Sequence, residues 1–260
     1  MKRREFIRKS SALVALPFLP FSTEREKFKI RTVVLDPGHG GKDPGTIGKF
    51  LKEKDVVLKI ALKVGEYIEK NVPEVKVVYT RNTDKFIELS ERSAIAMRNK
   101  ADLFISIHAN AISNPKTYGT ETWVMGLHKS EENLAVAKRE NSVILYEENH
   151  EEQYDGFDNS PESYIMFTLM QNAYLESSLK FADKIEKQFK NKAGRHSRGV
   201  KQAGFVVLYK TATPSVLVES GFLSNEAEEK FLGTANGQDL IASGIYRAFK
   251  EYKSEVESIN

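Results

Sequence analysis

The 260-residue chain contains no cysteine, which excludes a disulfide framework, a thiolate metal site, a cysteine nucleophile and a lipid-modified anchor. It has one tryptophan, eight prolines and sixteen glycines, too little proline and glycine for a low-complexity or collagen-like chain, and no fixed repeat period. An excess of one charge is missing too. Thirty-nine basic residues face 36 acidic ones, a net +3, and residues 1–22 alone carry five cations against one anion, so the remainder stands at −1. A near-neutral remainder excludes the basic footprint of a nucleic-acid binder. What is present is 40% hydrophobic and 29% charged residues, the composition of one soluble domain with a generous core.

Residues 1–22 read as an export signal. Lys2, Arg3 and Arg4 precede an apolar stretch over residues 10–21, of signal-core length and too short to span a bilayer as a stable helix. No membrane span is therefore expected in the mature form. The run Arg3-Arg4-Glu5-Phe6-Ile7-Arg8-Lys9 resembles the twin-arginine signal. The protein is expected to leave the bacterial cytoplasm.

Beyond the leader, short apolar runs alternate with helical periodicity. Strands are predicted at residues 32–35, 75–80, 103–107, 120–125, 205–209 and 216–218, from β-branched or wholly apolar stretches bounded by turn residues. Helices are predicted at residues 54–70, 89–98, 174–189, 226–231 and 238–252, with Asn225 and Glu228 spaced as a capping box. Continuous apolar strands interleaved with amphipathic helices indicate an α/β fold. We expect a single three-layer domain, roughly residues 28–254, with a twisted, mostly parallel sheet covered by helices on both faces. The stretch from 128 to 171 departs from the pattern. Residues 140–162 hold eight acids and no lysine or arginine, and connections that long are usually functional or disordered.

In an open α/β sheet, ligands bind beyond the carboxyl ends of the strands. His39 follows the first strand, His108 the third and Glu219 the last, so parallel neighbouring strands bring these side chains to one rim. A catalytic zinc site takes three imidazole or carboxylate ligands and keeps a fourth position open. With two histidines available a carboxylate is required, and Glu53 and Asp55, at the start of the first helix, are the candidates. His128, His150 and His196 lack an apolar strand to place them and read as surface residues. The glycine-rich turn after the first strand has neither GxGxxG nor GxxxxGK[ST], and no GxSxG elbow exists for a serine nucleophile.

The stretches Val34-Leu35-Asp36-Pro37-Gly38-His39-Gly40-Gly41, Glu53-Lys54-Asp55, Thr80-Arg81-Asn82-Thr83-Asp84, Ser106-Ile107-His108-Ala109-Asn110 and Leu217-Val218-Glu219-Ser220-Gly221-Phe222-Leu223-Ser224-Asn225 carry a family resemblance. In this order they resemble the zinc-dependent N-acetylmuramoyl-L-alanine amidases of bacterial cell-wall turnover, type 3 catalytic domain. The resemblance implies a sheet of about six strands, one Zn2+ per chain held by His39, Glu53 and His108, and Glu219 as the catalytic carboxylate. It selects Glu53 over Asp55. The implied substrate is peptidoglycan, cut at the amide between N-acetylmuramic acid and L-alanine, in the periplasm and during cell separation. It further implies that residues 131–171 form a regulatory insertion relieved by an activator protein. Ala137-Lys138-Arg139-Glu140-Asn141 looks like the start of that element, with Glu140 as an inhibitory zinc ligand at rest. The other readings weighed are a zinc peptidase or deacetylase acting on peptidoglycan, and a non-catalytic wall-binding module.

Overall fold

A computed structural model describes residues 28–148 and 172–258 of the chain. The expected export signal at 1–22 and residues 149–171 of the expected insertion lie outside the described residues. The strands are β1 (Thr32–Pro37), β2 (Lys76–Tyr79), β3 (Leu103–Asn110), β4 (Thr120–Met125), β5 (Ser197–Ala203) and β6 (Ser215–Phe222). Helices are α1 (Glu53–Asn71), α2 (Leu89–Arg98), α3 (Glu131–Asn141), α4 (Leu175–Asn191), α5 (Glu226–Gly233) and α6 (Ala235–Ser258). The six strands form one sheet in the order β2-β1-β3-β6-β4-β5. Every neighbouring pair is parallel except β4 with β6.

Burial on both faces explains the continuous apolar reading of β1, β3 and β6, in which every residue is buried. One face packs on α1, α4 and α6 through residues such as Val57, Ile60, Val64, Phe181, Ile185, Ile241 and Ile245. The other packs on α2, α3 and a short 3-10 turn, around Phe104, Trp123, Leu134, Phe205 and Leu208. In α1 the buried Val56, Val57, Ile60, Ala61, Val64 and Ile68 recur on one side, the stripe that an amphipathic helix lays on a sheet. Pro73 stops it.

Two local expectations change. Residues 205–209 do not form a strand: Val206–Leu208 is a buried 3-10 turn, with Phe205 edge-on to Trp123 at 5.4 Å. The apolar run is deep because it packs against α2 and β6, and Lys210 and Ala212 at φ +61° and +53° turn the chain away before β6. The strand in its place is β5, Ser-Arg-Gly-Val-Lys-Gln-Ala, mostly half-buried. As an edge strand paired only with β4, it retains polar residues that hide it from an apolarity scan. The capping box is also only half made. Asn225 Oδ1 accepts from Ala227 N and Glu228 N at 3.0 and 3.2 Å, whereas Glu228 turns to Arg195 at 2.5 Å and accepts from Gly119 N.

A buried ion pair fixes the turn after β1. Arg92 Nη1 donates to Asp36 Oδ1 at 2.8 Å and to Pro37 O at 2.9 Å, and its Nη2 donates to His39 O at 2.8 Å. Thr80 and Ser106 hydroxyls donate to the same carboxylate at 2.5 and 2.6 Å. Burial pushes the Asp36 carboxyl up, but the Arg92 charge and these donors hold it below its usual value. Removing one member of a buried pair strands the other, so Arg92→Ala is expected to cost about 3–5 kcal/mol in urea unfolding at pH 7. A depressed carboxylate stabilises the fold above its unfolded pKa, about 3.9, and loses that contribution as pH falls through the folded value. The gap between wild type and Arg92→Ala is therefore expected to narrow below about pH 4; a pH-independent gap would show that the Asp36 charge is not what Arg92 balances.

Candidate metal centre and catalytic carboxylate

The register places the chemistry. His108 on β3 lies beside Glu219 on β6, and Glu219 lies opposite Glu121 on β4. His39 follows β1, which pairs with β3 on its other side. Its φ of +58° is in the left-handed region, uncommon for a residue with a side chain and frequent at functional turns. Gly38 makes room there, because a Cβ would collide with the His108 ring. Glu53 enters from the first turn of α1, where its carboxylate also accepts from Thr46 N at 2.8 Å and Ala109 N at 3.0 Å. Asp55 is exposed.

His39, Glu53, His108 and Glu140 each bring one donor atom into a cluster in which all four lie within 4.8 Å of one another, and all four residues are buried. His39 Nε2 is 3.1 Å from Glu53 and 3.3 Å from Glu140; His108 Nδ1 is 3.0 Å from both carboxylates. Asp43 holds the far side of the His39 ring through Nδ1 at 2.7 Å, the outer-shell carboxylate that fixes a metal-binding imidazole. Sequence reasoning missed Asp43, whose signal is a carboxylate four residues after His39, across the glycine turn.

Electrostatics and hydrogen bonding fit a cation. Burial pulls the His39 imidazole down, yet Glu53, Asp43 and Glu140 raise it well above its usual range. His108 is pushed up to about 9 against its burial by Glu140 and Glu53. Burial raises the carboxyls of Glu53 and Glu140, but His39 beside the first, and Arg139 and His108 beside the second, bring both down. A metal thus competes with protons for these imidazoles, as in other sites where binding is linked to pH. His39 Nε2 and Glu140 Oε2 have no hydrogen-bond partner. Two imidazoles and a carboxylate make the donor set of a catalytic zinc site, so these residues fit the group.

Glu219 stands beside this cluster, fully buried, and neither of its oxygens has a hydrogen-bond partner. Burial and the Glu140 charge raise its carboxyl well above the usual range, against the pull of Arg139 and His108. Arg139 Nη2 is 3.7 Å from it and donates to Glu140 Oε1 at 2.7 Å. The Arg139 contact with the catalytic candidate was missed because the sequence alone does not show which way α3 turns its last residues.

α3 is latched over this pocket. Ser130 caps its start by accepting from Asn133 N at 3.2 Å. At its end Asn141 donates to Gly204 O at 2.8 Å and accepts from Val206 N at 2.9 Å, and Arg139 donates to Ala111 O. Beside His39, His108 and Glu140 a cavity of about 10 Å³ is left, no more than one water fills. Of the histidines read as surface, His128 is half-buried and His196 is exposed, while His150 lies outside the described residues. Among the described residues no helix is long and apolar enough to cross a membrane.

A family profile described as N-acetylmuramoyl-L-alanine amidase matches residues 33–251. The N-acetylmuramoyl-L-alanine amidase AmiC of Escherichia coli O6:H1 is 38% identical over 228 residues, covering 85% of this chain and 52% of AmiC. The chain thus spans about half the length of that relative. The crystal structure of an N-acetylmuramoyl-L-alanine amidase from Clostridium difficile 630 superposes with a TM-score of 0.66 at 27% identity, covering 86% of this chain and 97% of that one. The CwlD amidase of Clostridioides difficile, solved in complex with the GerS lipoprotein, gives a TM-score of 0.64 at 28% identity over 86% of this chain and 99% of its own.

Proposed function

Since the chain belongs to the N-acetylmuramoyl-L-alanine amidase family, we propose that it is an exported zinc amidase of the periplasm. It hydrolyses the amide joining N-acetylmuramic acid to the L-alanine of the peptidoglycan stem peptide, in wall turnover and daughter-cell separation. The observation that carries this reading is the convergence of His39, Glu53 and His108 beside a buried Glu219 whose oxygens have no hydrogen-bond partner. The first three hold one Zn2+ per chain. When bound, the ion supplies Lewis acidity that lowers the pKa of water and polarises an amide carbonyl.

Glu219 does the proton work. Its carboxylate, buried beside the cluster with no hydrogen-bond partner, is placed to take a proton from attacking water and return it to the departing alanine nitrogen. Without that second transfer the nitrogen would have to leave as an unstable anion, so the tetrahedral adduct expels hydroxide and returns to the amide instead. Asp43 orients the His39 ring. The products decide between this reading and other zinc chemistry on the wall. Digested peptidoglycan is expected to show new lactyl carboxyl groups and new alanine amino termini by mass analysis. Amino termini deeper in the peptide indicate a peptidase, released acetate a deacetylase, and no product with an open site a wall-binding module.

The start of the 131–171 segment acts as an inhibitor. Glu140 lies within reach of the two imidazoles while Arg139 lies near Glu219, so the last turn of α3 stands where an incoming amide and its proton acceptor must meet. An activator protein engages this segment; the CwlD amidase solved with a lipoprotein is a relative found with a protein partner. Glu140→Ala is expected to raise activator-free turnover on peptidoglycan by about tenfold or more, the effect of losing roughly 1.4 kcal/mol of closure. Equal turnover in a folded Glu140→Ala variant sinks the inhibitory role.

A further inference from the structure

The rim that carries Glu219 continues past the metal centre. β4 runs antiparallel to β6, so the beginning of β4 lies beside the end of β6 and Glu121 stands opposite Glu219. Residues opposed in an antiparallel pair project to the same face, as Trp123 and Leu217 of the same ladder do in the second core. His108, Glu219 and Glu121 therefore form one row across three adjacent strands.

Glu121 is buried, 2% exposed, and it is clamped by two cations from β5: Arg198 Nε and Lys201 Nζ, each at 2.6 Å. Asn110 Nδ2 approaches its other oxygen at 3.3 Å. Neither cation has another acidic partner among the described residues. Both remain partly open to solvent, at 28% and 21%. Their positions are fixed by aromatic faces, with Lys201 Nζ 5.2 Å from the Trp123 ring centroid and the Arg198 guanidinium 5.4 Å from that of Phe222. One cation suffices to balance a buried carboxylate. Two leave a net positive charge, pre-positioned and water-accessible, next to the catalytic row. Side chains already held in place lose little freedom when they bind a further anion.

We infer that Arg198 and Lys201, clamped on Glu121, form a carboxylate-binding subsite that reads the peptide on the leaving side of the scissile amide. The inference rests on the amidase reading and deepens it. Once the lactyl carboxyl is tied up in the amide, the muramic acid side offers no charge, so cations at this rim act on the stem peptide, which carries free carboxylates. Strands lie about 4.8 Å apart, which sets the subsite one to two strand spacings from β6, about 5–10 Å. That is the reach of two or three extended residues at about 3.3–3.6 Å each. The carboxylate recognised thus belongs to the first residues after the cut.

The test uses the full zinc-loaded chain and a muramoyl tripeptide whose peptide carboxylates are either free or converted to carboxamides. Binding is measured by calorimetry, and cleavage is followed long enough for basal turnover to register. Arg198→Gln and Lys201→Gln are made singly, so that each leaves one cation on Glu121 and the fold keeps its buried balance. Wild type is expected to favour the free-carboxylate substrate by on the order of tenfold in kcat/KM. That preference lies in KM, and it shrinks with added salt. Each single variant is expected to lose most of the preference by raising KM for the carboxylate substrate alone. Equal handling of the two substrates by wild type overturns the subsite while leaving the amidase reading intact, as does a preference that survives in both variants. A fall in kcat on both substrates alike assigns the pair to structure and also overturns it. If neither wild type nor Glu140→Ala, which frees the site from α3, binds or cuts either substrate, the amidase reading fails, and the subsite with it.

Discussion

Glu219→Gln is expected to keep its zinc and lose roughly 10²–10⁴-fold in turnover, the range that a positioned proton donor and acceptor contributes. The substitution preserves side-chain volume and removes only the capacity to take a proton. Because Glu219 is not among the four clustered donors, metal content is expected to stay at the wild-type level in elemental mass spectrometry. The two readouts must separate for the assignment to hold. A Glu219→Gln enzyme as active as wild type would show that the proton acceptor lies elsewhere, and one that had lost its zinc would make Glu219 part of the metal site. The loss is also expected in kcat more than in KM, since the proton moves only as the transition state forms.

Glu53→Ala is expected to abolish both. Glu53 is placed by α1 and touches both imidazoles, at 3.1 and 3.0 Å, while two backbone N–H groups anchor its oxygens. Removing it takes away the proposed ligand anchored on α1 and leaves the two histidines with Glu140 of α3 as the carboxylate beside both. Zinc content is expected to fall from about one per chain to a small fraction, because three protein ligands are the working minimum of a catalytic site. The measurement is informative even in an inactive preparation. Full zinc in the wild type with little turnover points to the inhibitory contact of α3, whereas no zinc in a folded, reconstituted wild type removes the metal reading. Retention of zinc by Glu53→Ala would mean that Glu140 or another carboxylate is the third ligand, which the proximity of Glu140 to both histidines makes a real competitor.

That competition shows where sequence reasoning stops. His39, His108 and Glu219 each follow an apolar run, and a strand ending in a polar, chemically able residue is visible without coordinates. Glu53 was one of two candidates at a helix start. Residue spacing alone does not say which carboxylate of Glu53 and Asp55 faces inward, and the structure buries the first and exposes the second. Asp43, Arg92 and Glu121 were not legible as parts of the site, because their partners come from a turn, a distant helix and an edge strand that only packing brings near. The edge strand β5 was itself missed, since half-buried polar residues carry no apolar signal, and the apolar run at 205–209 was read as the strand it is not.

By itself the sequence determined the α/β class, the alternation of buried strands with amphipathic helices, and His39, His108 and Glu219 as candidates to bind a metal or move a proton. Local pattern fixes these, because a strand buried on both faces must be apolar throughout and a surface helix must carry its stripe every three to four residues. The tertiary structure decided the rest. Strand order, with β6 set between β3 and β4, puts His108, Glu219 and Glu121 in one row although they are far apart in the chain. The packing of α3 brings Arg139 and Glu140 onto that row. Neither arrangement is written in local spacing, because both arise from which surfaces bury one another once the sheet has formed.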